Sequence, residues 1–132
     1  MRQPINLRSP RNALMEDGMI AVIFESWPQI GKKQAYLDMA ATLMPLVAKI
    51  DGFISIERFQ SVADERKLVG LSFWRDEAAV TVWRNVMEHR RIQDHSRHRV
   101  FDNYRLRVAA VTRDYSKRER SQAPDDSVAT LG

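Results

Sequence analysis

The chain has 132 residues, no cysteine, and a formal net charge of +4 that results from 21 Lys+Arg and 17 Asp+Glu. This length predicts one domain with a core of its own. The lack of cysteine excludes disulfides, thiolate metal ligands and a cysteine nucleophile. No apolar run approaches the roughly 20 residues of a membrane-spanning helix, and the first residues lack the apolar stretch of a secretory signal. We therefore expect a cytoplasmic protein without a membrane partner.

Both ends of the sequence lack the periodicity of packed helices or strands. Residues 1–18 contain Pro4 and Pro10, and residues 116–132 are polar and contain Pro124. Polar segments of this kind bury too little apolar surface to order themselves. We therefore predict flexible extensions at 1–18 and 116–132 around a folded domain at 19–115.

The domain is predicted to begin with a strand and a helix. MIAVIFES (19–26) is a nearly continuous apolar run, which is typical of a strand buried on both faces. From about 32 to 50 the apolar residues recur at helical spacing, and Pro45 on the opposite face either bends this helix or splits it. Gly52 is suited to the left-handed position that ends a helix. Six residues share the apolar arc of about 100°: Tyr36, Met39, Ala40, Leu43, Val47 and Ile50.

Three further strands are predicted from apolar runs and alternation. FISIERFQ (53–60) and KLVGLSFW (67–74) are separated by the polar turn SVADER, which predicts a hairpin. YRLRVAAVTRDY (104–115) alternates along its length, as a half-buried strand does. One face of that strand would carry Tyr104, Leu106, Val108 and Ala110.

Two helices are predicted between the third and the fourth strand. Asp76 is a suitable N-cap for a short helix at 77–83. Asn85, with Glu88 three residues later, resembles a capping box that opens another helix at about 86–100.

The resulting order, β-α-β-β-α-β, predicts an α+β ferredoxin-like fold with a four-stranded antiparallel sheet. The runs IAVIF and LVGLSFW carry apolar residues at both parities, so both faces of the sheet need to be covered. The helices of one chain cover only one face. We therefore expect a homodimer in which the two sheets face each other.

The stretch WRNVMEHRRIQDH (83–95) contains two of the three histidines, and His98 follows it. On the predicted helix, His89 lies on the inner side, whereas His95 and His98 lie on the opposite side. The three imidazoles therefore do not converge, and no metal site is expected.

Three polar residues share the inner stripe of that helix: His89, Gln93 and Ser96. Each of them needs a hydrogen-bond partner if it is buried. They are therefore either satisfied residues of the core or the lining of a polar cavity. In the second interpretation Trp74 and Trp83 supply the apolar walls, as in many small-molecule pockets.

An excess of arginine lies late in the chain, which raises the question of nucleic-acid binding. No aromatic residues alternate with these arginines as a stacking platform requires, so we interpret them as a solvated face and expect no nucleic-acid partner. The residues concerned are Arg84, Arg90, Arg91, Arg97, Arg99, Arg105, Arg107 and Arg113.

Four stretches of the core have a familiar pattern: MIAVIFE, DGFISIERF, LVGLSFWRDEAAVTVWRNVMEHRRIQ and YRLRVAAVTRDY. Over about 19–115 they resemble the antibiotic biosynthesis monooxygenase (ABM) domain family. The resemblance implies a dimeric ferredoxin-like α+β barrel, in agreement with the dimer expected above. Its most specific features are WRD at 74–76, Trp83, EH at 88–89 and RDY at 113–115.

The resemblance implies one of two activities. Some members of the family oxidise phenols or quinols with O2 and without a cofactor, and in that branch a pocket tyrosine falls near His89. Others bind and degrade heme with an Asn-Trp-His set. Trp83 matches the tryptophan of that set, but Phe24 stands at the asparagine position and Gln93 at the histidine position. This substitution of two residues out of three argues against heme degradation by that set.

We therefore expect a homodimeric, cofactor-independent monooxygenase that acts on a small aromatic phenol or quinol. The alternatives are a heme-binding or heme-degrading relative and a non-catalytic dimer that binds a small ligand. The expected catalytic residues are Trp83 and His89, and the expected substrate-binding residues are Phe24, Trp74, Gln93 and Ser96.

Overall fold

A computed structural model of the chain describes residues 18–94 and 100–131, apart from the side chains of 89–94 and 131. Residues Met19–Ala110 form one compact unit, and the residues from Val111 onward belong to a second. The described residues form the strands β1 (Ile20–Pro28), β2 (Phe53–Gln60), β3 (Leu68–Trp74) and β4 (Phe101–Ala110). They also form the helices α1 (Lys33–Ala48), α2 (Glu77–Asp94) and α3 (Asp125–Leu131).

The first unit contains one antiparallel sheet with the strand order β2-β3-β1-β4. With α1 and α2 between the strands, this is the predicted β-α-β-β-α-β fold, which is thus confirmed. β4 begins at Phe101 and ends at Ala110, earlier than the predicted strand at 104–115. Residues 116–132, predicted to be a flexible extension, include α3. None of the described helices is long and apolar enough to cross a membrane.

Helix α1 is continuous through Pro45, so it is not split in two. Pro45 is exposed, which allows the backbone carbonyl that loses its partner there to be solvated. The predicted apolar face is confirmed, because Tyr36, Ala40 and Val47 are the buried residues of this helix.

Helix α2 is one helix where the sequence predicted two, so that prediction was wrong. Asp76 caps it as expected, since its Oδ1 accepts the backbone N–H of Ala79 at 2.9 Å. Asn85 lies inside the helix, where it costs only a few tenths of a kcal/mol relative to a good helix former. The apolar stripe crosses the supposed break, with Val80, Trp83 and Met87 all packed in the same core cluster.

The core lies between the helices and one face of the sheet, called here the helix-facing side. The strand register places Ile20, Val22, Phe24 and Ser26 of β1 on this side, next to alternate residues of β3 and β4. The residues of α1 and α2 in the core cluster all pack there: Val47, Ala79 and Val80. The other face, called here the far side, carries the intervening residues, among them Ala21, Ile23, Leu71 and Phe73.

The turn before β2 depends on Gly52, which has a φ of 95°. An ideal Cβ on Gly52 would lie 2.8 Å from the Cβ of Ala79, and the Gly52 carbonyl accepts the N–H of Arg75 at 2.7 Å. Gly52→Ala is therefore expected to lower the free energy of unfolding by about 2–4 kcal/mol, from backbone strain plus overpacking. Chemical denaturation measures this loss.

Gly31→Ala is the matched control, because Gly31 has a φ of 81° but nothing within 4 Å of an added Cβ. Backbone strain alone should cost about 1–2 kcal/mol there. Equal losses for the two variants would show that contact with Ala79 contributes nothing.

Candidate functional site

One aromatic cluster connects the sheet with α2. The ring of Trp74 lies 5.4 Å from that of Phe53 and 5.9 Å from that of Trp83, measured between centroids. Trp74 is 0% exposed, and its Nε1 donates to the Ser72 hydroxyl at 2.9 Å. Trp74 therefore supports Trp83 from the core, while Trp83 itself is half-buried and presents part of its ring outside the core.

A second aromatic cluster lies at the other end of the helix-facing side. The Phe24 ring centroid lies 5.7 Å from those of Phe101 and Tyr104, and Tyr36 of α1 lies 5.1 Å from Phe101. Phe24 lies four residues after Ile20, and Ile20 pairs with Trp74. Four residues span about 13 Å along a strand. Phe24 and Trp83 thus share one side of the sheet but belong to separate clusters.

The outer edge of the helix-facing side is apolar and open among the described residues. Tyr104, Leu106 and Val108 of β4 are 46%, 38% and 46% exposed, and the register pairs them with Ser26, Phe24 and Val22. They share a face as predicted, but no residue of β4 is buried, so the half-buried strand that the alternation predicted is not observed among the described residues. Together these three residues form the β4 strip, an apolar surface next to Phe24 on which a ring-bearing ligand can lie.

Two predicted site residues lie on α2 with side chains outside the described part of the structure: His89 and Gln93. Ser96, His95 and His98 lie outside the described residues altogether. The structure thus brings Trp74 and Trp83 into contact and places Phe24 on the same side of the sheet in a separate cluster, and the roles predicted for all these residues stay predictions. Among the described side chains, no group of three or more His, Asp or Glu could hold a metal ion.

Sequence reasoning missed a polar contact beside Phe24. Arg58 of β2 donates its Nε–H to the Tyr36 hydroxyl at 3.2 Å, and its guanidinium carbon lies 5.8 Å from the Tyr36 ring centroid. The sequence contains a weak signal for it, since Ile56 and Arg58 have the same parity in a strand and Arg58 therefore shares a face with an apolar residue.

Sequence reasoning also missed Ser26, which is 0% exposed on the helix-facing side. Its Oγ has no hydrogen-bond partner among the described groups. Buried hydroxyls in native proteins almost always have a partner, often a water or a ligand atom. Ser26 is two residues from Phe24 and pairs with Tyr104, so this hydroxyl borders the second aromatic cluster.

The far side of the sheet has a charged centre instead of a purely apolar surface. Glu25 pairs with Lys67 at 3.0 Å and with Arg107 at 3.0 Å. Hydrogen bonds from Lys67 and from Arg107 hold the pKa of the Glu25 carboxyl below its ordinary value. Glu25 therefore stays ionised at neutral pH, and its charge is compensated within the chain.

The fold is that of a ferredoxin-like α+β domain, and the family is identified by sequence. The family model described as antibiotic biosynthesis monooxygenase matches residues 19–95. The chain therefore belongs to the ABM family, as its resemblance to that family predicted.

One relative of this chain is a protein of Pyricularia oryzae named jasmonate monooxygenase ABM. It is 43% identical over 94 residues, which make up 71% of this chain and 44% of that protein. The match thus spans less than half of the relative's length.

Solved structures from Mycobacterium tuberculosis have the same fold. Rv0793 is similar with a TM-score of 0.63 at 19% identity, over 74% of this chain and 99% of that one. The heme-degrading protein Rv3592 is similar with a TM-score of 0.55 at 15% identity, over 75% of this chain and 97% of that one. At these identities the likeness establishes the fold alone.

Proposed function

We propose that this protein is a monooxygenase that oxidises a small phenol or quinol with O2 and without a bound cofactor. The observation that carries the proposal is a partly exposed apolar surface, formed by Phe24 and the β4 strip, in a chain of the ABM family. In the proposed reaction a phenol and O2 give a quinone and water. One oxygen atom enters the ring, the other leaves as water, and the substrate supplies all the electrons.

The roles of the site residues follow from the needs of that reaction. Trp83 packs against the substrate ring with the buried Trp74 behind it, and Phe24 forms an apolar wall farther along the helix-facing side. His89 accepts the phenolic proton, a task for which an imidazole is suited because it titrates near neutrality. Gln93 and Ser96 orient the oxygens of the substrate.

A second candidate substrate comes from the Pyricularia relative, whose name gives jasmonate as its substrate. Jasmonate is the anion of a cyclic organic acid and has no phenolic ring. Under this proposal the same apolar surface holds a non-aromatic ring. Hydroxylation of that ring by O2 takes two electrons from an added reductant such as NADPH and releases the second oxygen atom as water, because the ring does not supply electrons as a phenol does.

We also propose that the protein is a homodimer in which the far sides of two sheets face each other. Support comes from the half-buried Ile23, Leu71 and Phe73 on that side and from the compensated charge of Glu25. Light scattering during gel filtration should give about twice the 15.3 kDa of one chain. The mass of a single chain at micromolar concentration would contradict the proposal.

Heme is the competing ligand, and the fold alone is compatible with it because Rv3592 has the same fold. Phe24 offers no polar group at the position of the asparagine in the heme set, so we expect no saturable Soret shift on titration with heme. A shift that saturates at one heme per chain would replace the cofactor-free proposal.

The direct test is O2 consumption by purified protein without added metal, with a panel of phenols and quinols in the absence of a reductant and with jasmonate in the presence of a two-electron reductant such as NADPH. Uptake of one O2 per substrate is expected, and 18O2 should label one oxygen of the product. Heat-denatured protein controls for autoxidation of the substrates. Absence of uptake above this control across the panel would leave a non-catalytic ligand-binding dimer as the function.

A further inference from the structure

Arg58 is a half-buried cation of the edge strand β2 that pairs with no carboxylate among the described residues. It lies half-buried on the helix-facing side, and the Tyr36 side chain is its one partner in the described part of the chain. Lys67 is a useful comparison, because it is half-buried as well and pairs with Glu25 at 3.0 Å. A guanidinium that is partly removed from water without an anion is costly to keep.

The contact with Tyr36 leaves hydrogen-bond donors unused. Arg58 donates only its Nε–H to the Tyr36 hydroxyl oxygen, which leaves the two Nη groups. Tyr36 is 5% exposed, and its own hydroxyl hydrogen has no acceptor among the described residues. Unused donors of this kind favour an anionic oxygen ligand, and a guanidinium fork fits a carboxylate.

These donors adjoin the apolar surface of the proposed site. An ideal Cβ on Gly70 would lie 3.8 Å from the Phe24 Cβ and 4.0 Å from the Arg58 Cγ. The side chains of Phe24 and Arg58 therefore flank Gly70, which has no side chain. On the helix-facing side Arg58 is thus the neighbour of Phe24 across one strand of the sheet.

A second cation increases the positive potential at this end of the sheet. Lys33 Nζ donates to Gln60 Oε1 at 2.7 Å, and Gln60 follows Arg58 by two residues on the same side of β2. The helix α1, which begins at Lys33, has no acidic residue in its first turn. Lys33 therefore adds positive charge at this end, whereas the two nearby acidic residues do not pair with Arg58 among the described groups: Glu57 lies on the far side of β2, and Asp38 of α1 accepts from Gln34.

We propose that Arg58 and Tyr36 bind the carboxylate of the substrate, whose ring lies against Phe24 and the β4 strip. The substrate class is then a small organic acid with an apolar ring. This inference rests on the proposed function insofar as it concerns the same site. It assigns specificity to Arg58 and gives it no part in the oxidation.

Equilibrium binding tests the inference independently of turnover. The probes are two acid–ester pairs: jasmonate with methyl jasmonate, and 1-naphthoate with methyl 1-naphthoate. The wild-type protein should bind each acid at least about tenfold more tightly than its ester, and Arg58→Met should weaken acid binding by about 10–100-fold while it leaves ester binding unchanged. Arg58→Lys should retain part of the preference, because it keeps the charge but loses the fork.

Two further variants keep the test decisive. Tyr36→Phe preserves the buried ring and should reduce acid affinity by up to about tenfold, which covers the case in which Arg58→Met does not fold. Arg105→Met removes an exposed arginine of β4 on the far side and should leave both affinities unchanged. Circular dichroism checks that each variant is folded.

Equal binding of acid and ester by the wild type would overturn the inference, and so would acid preference that survives both Arg58→Met and Tyr36→Phe. Failure to bind either acid while neutral phenols bind has the same consequence. The outcome is separable from that of the proposed function. Acid preference without O2 uptake would support the carboxylate site and contradict the proposed monooxygenase activity. O2 uptake with neutral phenols alone would support the monooxygenase activity and contradict the carboxylate site.

Discussion

Trp74→Ala is expected to lower the free energy of unfolding by about 3–5 kcal/mol, the range for a fully buried aromatic residue. Trp74 is 0% exposed, and its ring contacts those of Phe53 and Trp83. Removal of the indole leaves a cavity between the sheet and α2. It also leaves the buried Ser72 hydroxyl without the Nε1–H that it accepts, which adds a desolvation cost. Chemical denaturation with both the midpoint and the slope determined measures the loss.

Trp27→Ala is the control with the same change in side-chain volume. Trp27 lies on the far side, half-buried, and its Nε1 donates to Asp64 at 3.1 Å in an exposed hydrogen bond. Since less apolar surface is lost from the interior, we expect less than half the loss found for Trp74. A loss below about 1 kcal/mol for Trp74→Ala would show that the aromatic cluster rearranges to fill the cavity.

The fold could be predicted because burial repeats with a different period in helices and strands. The buried residues Tyr36, Ala40 and Val47 lie on the arc predicted for α1. The register of β4 places Tyr104, Leu106 and Val108 together on one side of the sheet as predicted, although no residue of β4 is buried. In both cases the pattern is local, and the nearest neighbours in the sequence contain the information needed.

The ends of the elements were predicted less well, because they depend on contacts that a local pattern does not contain. Asn85 and Glu88 match a capping box, yet packing of Trp83 and Met87 in one cluster keeps α2 continuous. The start of β4 at Phe101 depends on its pairing with Pro28, after an irregularity in the register. That pairing joins segments more than seventy residues apart in the sequence.

The candidate site was predicted where a residue is both aromatic and placed by periodicity. Phe24 and Trp83 are the examples, although the sequence could not show that they belong to separate clusters. Arg58 and Tyr36 were missed, because their hydrogen bond joins residues 22 apart in two elements that meet only through the fold. Ser26 was missed because burial of one hydroxyl within an apolar strand is not visible in composition.

His89→Ala is expected to reduce kcat/KM for a phenolic substrate by about 10²–10⁴-fold, the usual contribution of a positioned general base. His89 lies on α2, six residues after Trp83, and the proposed mechanism requires a neutral imidazole that takes the phenolic proton before O2 reacts. The rate should therefore fall toward acidic pH in the wild type, because protonation removes the base. In the variant this acidic limb should disappear along with most of the activity. Steady-state kinetics across pH measures both effects.

His95→Ala and His98→Ala are the matched controls, because the helical pattern predicts both imidazoles on the opposite side from His89. Each control should keep kcat/KM within about twofold of the wild type. Ligand binding by His89→Ala should stay within about tenfold, a span of roughly 1.4 kcal/mol, if the imidazole moves a proton and does not hold the ring. Turnover that survives His89→Ala together with a loss of stability would identify His89 as a hydrogen-bonded core residue. Water would then be the proton acceptor, because neither the Gln93 amide nor the Ser96 hydroxyl accepts a proton at neutral pH.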